Sequence, residues 1–269
     1  MEFGICLQSV VPLRKEPHHQ AEMITQLLFG ELYRIMETRD QWAKVQLVYD
    51  SYEGWICDLQ TNRIQEEEFL RHFEAETPCS LDLVQLISNE STKEVFPVIL
   101  GSSLPGIEEF RMELAGNSFL YDGQLSSLSE LEEAETPQDI IEVKHAMLHD
   151  AMMYLNAPYL WGGRTPFGID CSGLVQMIYR SRQIKLLRDA KQQASQGEVI
   201  GLIDEAEPGD LVFFDDGNGE ITHVGMLVNR QQVLHCSGKV RLDRIDHIGI
   251  FQPELQKYTH KLRLIKRMF

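Results

Sequence analysis

The sequence predicts an α+β protein in which one or two small β units precede a domain whose helices come before an antiparallel sheet. Three observations carry that expectation. Residues 1 to about 62 break into short apolar runs separated by turn residues. Thr136-Pro137-Gln138-Asp139 offers a hydroxyl, a proline and a carboxylate where a long helical repeat begins. Beyond Pro208 the chain returns to strand-like runs, and helices followed by strands give an α+β domain.

In chain order, strands are expected at 3–11, 23–28, 32–37, 42–48 and 54–56, assembled as a small barrel over 1–62. Residues 63–80 hold an acidic, helix-compatible run that ends at Pro78 and reads as a connector. A second small β unit spans 81–128, with strands at 83–87, 95–100 and 110–114 and glycines at 101, 106, 116 and 123 between them. Residues 126–135 have the composition of a solvated linker. The last domain covers 136–269. Ile140, Val143, Met147, Ala151 and Leu155 recur at helical spacing there, and a second helix is expected over 170–182. Strands follow at 211–214, 223–228, 233–236 and 248–251. No internal repeat relates the two β units.

A chain of 269 residues can bury more than one core, and no run of 18 apolar residues could cross a bilayer. Twenty-five basic residues against 41 acidic ones give a net charge of -16, which repels phosphate backbones and anionic headgroups. Neither nucleic acid nor membrane is an expected partner. The first residues show no basic segment followed by an apolar one, so the cytoplasm is the expected compartment, or the periplasm or exterior if a leader has been removed. Five scattered cysteines without a C-x-x-C pair point to reduced thiols. Cys6, Cys57, Cys79 and Cys236 read as small buried hydrophobes. Neither the acidic run at Glu130, Glu132, Glu133 and Glu135 nor His18-His19 has the ligand spacing of a metal site, and no cofactor is expected.

Chemistry concentrates between Tyr159 and Gly173, where a glycine-rich loop delivers Cys171 to the start of a helix. A thiol is nucleophilic as its thiolate, which helix N-terminal N–H groups and a nearby imidazolium both favour. Of nine histidines, His223 and His235 each lie inside a strand-like run. The turn near 229–232 places them on paired antiparallel strands, so His235 can orient His223 while His223 serves the thiol.

The loop Tyr159-Leu160-Trp161-Gly162-Gly163 leading to Asp170-Cys171-Ser172-Gly173, with Glu207-Pro208-Gly209-Asp210 and the two histidine strands, resembles the NlpC/P60 family of cysteine peptidases over roughly 137–269. Leu27-Leu28-Phe29-Gly30-Glu31 and Tyr52-Glu53-Gly54-Trp55 are similar to the bacterial SH3-like modules of that family's γ-D-glutamyl-L-diamino-acid endopeptidases. The resemblance implies a papain-like catalytic domain behind one or two SH3-like barrels, with Cys171, His223 and His235 as triad and Tyr159 at the oxyanion. It further implies Asp170, Ser172 and Trp161 as substrate contacts, Asp170 pairing with an α-ammonium. From the SH3-like module it implies Tyr52, with Tyr49 as competitor. Relatives often carry a small hydroxyl residue where this chain has Ala190. The implied activity is hydrolysis of the γ-D-glutamyl-L-diamino acid bond in free murein peptides with an N-terminal L-alanine, in peptidoglycan recycling, by a monomer. The rival expectation is a secreted endopeptidase that cuts intact murein and uses its SH3-like modules as wall anchors.

Overall fold

The computed structural model describes residues 2–75, 77–127, 134 and 136–269. Most of the expected linker, including Glu130, Glu132, Glu133 and Glu135, lies outside the described residues. The chain divides into two compact units. One comprises Met1–Ser129, Trp161–Thr165 and Arg180–Lys185, and the other comprises Glu130–Leu160, Pro166–Tyr179 and Leu186–Phe269.

In the first unit, strands β1 (Glu2–Ile5), β2 (Val10–Arg14), β3 (Met23–Leu28), β4 (Leu32–Arg39), β5 (Trp42–Leu47), β6 (Glu53–Cys57) and β7 (Arg63–Ile64) form one antiparallel sheet. Its order is β3-β2-β6-β5-β4-β1-β7. Alternation places Val11, Leu13, Val45 and Leu47 inward, and they pack with Leu27, Tyr33, Ile35 and Ile56. The strand expected over 3–11 is two strands, because β1 pairs with β4 whereas β2 pairs with β3 and β6. Residues 63–64, expected in the connector, extend the same sheet through β1.

Helix α1 (Glu66–Glu74) stops before Pro78, consistent with the extended backbone required ahead of a proline. It is more than a connector: Phe69 is buried and stacks on Phe3 with ring centroids 4.2 Å apart. Strands β8 (Val84–Asn89), β9 (Val95–Ile99), β10 (Arg111–Leu114) and β11 (Asn117–Leu120) form a second antiparallel sheet in the order β10-β11-β8-β9. Sequence reading missed β11, which follows a two-residue turn in which Ala115 and Gly116 both have positive φ. The two sheets share a core, in which Ile87, Val98, Met112 and Phe119 pack with Phe3, Phe29, Ile64 and Phe69.

A buried charge cluster lies in this unit. The Glu31 carboxylate pairs with Arg164 at 3.0 Å and with Arg180, and it accepts the Leu28 N–H at 2.8 Å. The Tyr49 ring lies 4.2 Å from the Arg180 guanidinium. Burial alone would raise the Glu31 carboxyl, but Arg164 and Arg180 outweigh it and hold it below its usual value.

The second unit opens with α2 (Pro137–Met153), whose expected cap is present: Thr136 Oγ1 accepts the Asp139 N–H and the Asp139 carboxylate accepts the Thr136 N–H. Leu155, counted in the helical repeat, falls beyond its end. After β12 (Arg164–Thr165), which belongs to the first unit, and β13 (Gly168–Ile169) come α3 (Cys171–Arg180), α4 (Ala190–Gln193) and strands β14 (Glu198–Ile200), β15 (Leu211–Asp215), β16 (Ile221–Asn229), β17 (Gln232–Ser237), β18 (Lys239–Ile245), β19 (Gly249–Gln252) and β20 (Lys257–Arg267). These seven strands form a sheet in the order β14-β20-β15-β16-β17-β18-β19, and pairing of β19 with β20 closes six of them into a ring. Its core holds Val212, Phe214, Leu227, Val233, Ile245, Ile250 and Ile265. Strands β18 and β20 escaped sequence reading because charged and polar residues interrupt their apolar alternation.

Removing one partner of a buried ion cluster strands the others without water. Glu31→Gln should therefore destabilise the protein by about 3–5 kcal/mol, read as a lower urea midpoint at unchanged slope. Because the folded Glu31 carboxyl is depressed, its contribution is present above the usual carboxylate range and is lost as pH falls through the depressed value. A Glu31→Gln variant as stable as the parent would show that the cluster contributes nothing net.

Candidate active site

Helix α3 begins at Cys171, and its N-terminus is capped from the preceding residue. Asp170 Oδ1 accepts the Gly173 N–H at 2.6 Å, and the Asp170 carbonyl accepts the Leu174 N–H at 2.9 Å. The Cys171 sulfur is buried beside the backbone N–H groups of Val224 and Ser172. Val224 follows His223 in β16, so the strand that carries the imidazole also touches the thiol.

Register explains the two histidines. Gly225 stands opposite His235 on the β16–β17 pair, which makes His223 and His235 diagonal neighbours on one face of the sheet. A side-chain carbon on Gly225 would come within 3.0 Å of the His235 Cβ, so the missing side chain leaves the rings room to meet. They meet at 2.9 Å, His223 Nε2 to His235 Nδ1.

Sequence reading missed the next member. Asp243, on β18, lies with Oδ2 2.9 Å from His235 Nε2, and Arg241 holds the same carboxylate at 2.7 Å. Burial would raise the Asp243 carboxyl, but the hydrogen bonds from His235 and Arg241 draw it down to about 2. The available signal was an aspartate eight residues after His235 within an otherwise strand-like run, visible only if β18 is recognised.

An ionised carboxylate can only accept, so His235 presents N–H at Nε2 and a lone pair at Nδ1. His223 must then donate from Nε2, which leaves its Nδ1 unprotonated. The chain Asp243–His235–His223 thus selects the tautomer of a base.

Burial opposes the stabilisation that the helix N-terminus offers a Cys171 thiolate. Burial first, then the neighbouring Asp170 carboxylate, push the Cys171 thiol up to about 12, against the Val224 and Ser172 N–H groups and Arg188. Burial, His235 and His260 hold the His223 imidazolium well below its usual value. Burial thus favours the neutral form of each group and opposes the helix N-terminus, which favours the thiolate.

Asp170 and Ser172 are buried in a network that sequence reading did not contain. Arg188, itself buried, binds Asp170 with both guanidinium nitrogens, at 3.0 and 2.6 Å, and donates to Ser172 Oγ at 2.9 Å. Asp170, for which the resemblance implies a substrate ammonium, thus already holds a cation of the protein. Tyr159 is partly exposed and its backbone N–H donates to the Gly238 carbonyl at 3.0 Å. Burial, then Cys171 and Asp170, push its phenol up to about 12, so it remains a donor. Ala190 is buried at the first turn of α4.

In the first unit, Trp161 is 59% exposed with its indole N–H on Glu22 Oε1 at 2.8 Å. Tyr52 packs against the first sheet's core, whereas Tyr49 lies against Arg180. Cys6, Cys57, Cys79 and Cys236 are buried, as expected. Among the described residues no cluster of three His, Cys, Asp or Glu is placed to hold a metal ion.

The NlpC/P60 family matches residues 156–260, the stretch that contains this thiol, both histidines and Asp243. The chain carries an NlpC/P60 domain, that of a family of cysteine peptidases. A second match, to the bacterial dipeptidyl-peptidase SH3 domain, covers residues 13–58 and identifies the N-terminal β unit as SH3-like. The chain is 29% identical to the gamma-D-glutamyl-L-lysine dipeptidyl-peptidase of Bacillus subtilis over 87% of its own length and 74% of the relative's. It is 26% identical to dipeptidyl-peptidase 6 of Lysinibacillus sphaericus, over 87% of each chain. In fold it resembles the crystal structure of an NlpC/P60 family protein from Bacillus cereus, with a TM-score of 0.81 over 99% of both chains at 19% identity.

If thiol and imidazole rest neutral, alkylation of Cys171 by iodoacetamide should be faster than that of the other cysteines and climb without a plateau from about pH 6 to about pH 9. Peptide mapping after brief labelling reads this; a rate already flat at neutral pH would establish a resting ion pair instead. Asp243→Asn should lower kcat about a hundredfold or more at nearly constant KM, since an amide can present a donor to His235 and reverse both tautomers. An Asp243→Asn variant with the parent's kcat would remove Asp243 from the chain.

Proposed function

We propose that this peptidase hydrolyses the γ-D-glutamyl-L-diamino acid bond of free murein peptides, releasing L-Ala-γ-D-Glu in the cytoplasm as a step of peptidoglycan recycling. The observation that carries the chemical half of this reading is the Asp243–His235–His223 chain, which leaves His223 Nδ1 as a proton acceptor on the strand that touches the Cys171 sulfur. The substrate half is supported by the names of the relatives, which are γ-D-glutamyl-L-lysine and other dipeptidyl-peptidases, and by the SH3-like domain of the same kind.

In this mechanism Cys171 passes its proton to His223 as sulfur attacks the γ-D-glutamyl carbonyl. The Tyr159 hydroxyl and the Cys171 backbone N–H receive the oxyanion. His223 returns the proton to the amine of the leaving diamino acid, and water, deprotonated by the same ring, hydrolyses the thioester. His235 acts through His223 by fixing its tautomer. Asp170, held rigid by Arg188, receives the α-ammonium of the L-alanine, with Ser172 beside it. Trp161 and Tyr52 are the remaining substrate contacts that the family resemblance implies.

The test compares kcat/KM for L-Ala-γ-D-Glu-diamino acid and its N-acetylated form, with products identified by mass spectrometry for both L-lysine and meso-diaminopimelate at the third position. Acetylation should cost about thirtyfold or more, because it removes the positive charge that Asp170 receives in a desolvated site. Equal cleavage of both peptides would overturn the free-peptide reading and favour an enzyme of intact murein.

A further inference from the structure

His223 is held by more than its hydrogen bond. The imidazole of His260, on β20, stacks on it with centroids 4.3 Å apart and planes at 28°. The same ring meets His235 edge-on at 5.5 Å and Phe214 at 5.8 Å. Its own plane is set by Thr259, whose hydroxyl oxygen lies 3.0 Å from His260 Nδ1. The backbone is built for this approach. Gly249 has φ +148°, and a Cβ there would stand 1.9 Å from the His260 carbonyl oxygen, so a side chain at 249 would push β20 away from β19.

One hydrogen bond at Nε2 fixes a point on the His223 ring and leaves rotation about the line to His235. A face-to-face neighbour removes that rotation. We propose that His260 is a positioning residue, whose ring, stacked on His223, holds the plane of the base so that Nδ1 stays directed at the Cys171 sulfur. The inference rests on the reading of His223 as the base. A flat ring could also be phenylalanine; what histidine adds is the Thr259 contact that orients it. Burial, then His235, lower the His260 imidazolium to about 4 against the pull of Asp243, so at neutral pH it adds no second cation beside His223.

The experiment uses the full chain with the free tripeptide and three variants. His260→Leu keeps bulk and loses the flat face: kcat should fall about thirtyfold with KM within about twofold of the parent, since misplacing a base costs rate rather than binding. His260→Phe restores the face and should recover most of that loss, to within about threefold of the parent. Thermal unfolding of both variants is followed alongside, because a merely structural role would track stability and not ring shape. A Leu variant with the parent's kcat, a Phe variant no better than Leu, or a loss carried by KM would each overturn the proposal. His223→Ala separates the two readings. If it abolishes turnover while the Leu variant is normal, only the role of His260 fails; if it retains turnover, the base assignment itself fails and His260 with it.

Discussion

A carboxylate that stays ionised at one end of two imidazoles decides where every proton in the site sits. Asp243 can only accept, so His235 and His223 are each left with one protonated and one unprotonated nitrogen in a fixed order. The rest of the geometry serves that order. The β16–β17 register brings the rings together, Gly225 leaves them space, and Arg241 together with burial keeps the carboxylate in place. Without the carboxylate the same two rings could hydrogen-bond in either direction, and half of those arrangements would present a donor to the thiol.

The same packing favours the neutral forms of Cys171 and His223. A helix N-terminus and two backbone N–H groups favour a thiolate, but burial and the Asp170 carboxylate oppose it more strongly. Burial therefore favours the proton on sulfur, and in the proposed mechanism the position of His223 decides where that proton can go. Glu31 has a comparable place in the first unit. Its buried carboxylate pairs with two guanidiniums, those of Arg164 and Arg180, which stand seven residues before and nine residues after Cys171 in the chain. Two arginines that are distant in sequence thus depend on one charge from the SH3-like part of the molecule.

Much of the architecture could be read from local pattern. The strands of the first unit, the capping box at Thr136 and Asp139 and the hairpin that joins His223 to His235 obey rules that act within a few residues. The errors have a common physical origin. Residues 3–11 read as one strand because alternation does not reveal that its two halves pair with different neighbours. The helix at Glu66–Glu74 read as a connector because its acidic surface hides the burial of Phe69. Strands β18 and β20 were missed because charged and polar residues interrupt their apolar alternation.

The sequence by itself singled out Cys171 and the two histidines as candidates, because a cysteine after a glycine-rich loop and histidines in neighbouring strands are properties of adjacent residues. Tertiary structure alone decided the partners of those groups. Asp243 reaches His235 only through the β17–β18 register, and Arg188 reaches Asp170 across a separation of 18 residues. His260 reaches His223 from the last strand of the sheet. Hydrogen-bond direction, burial and ring stacking depend on what lies opposite, and in a closed sheet what lies opposite comes from the far end of the chain.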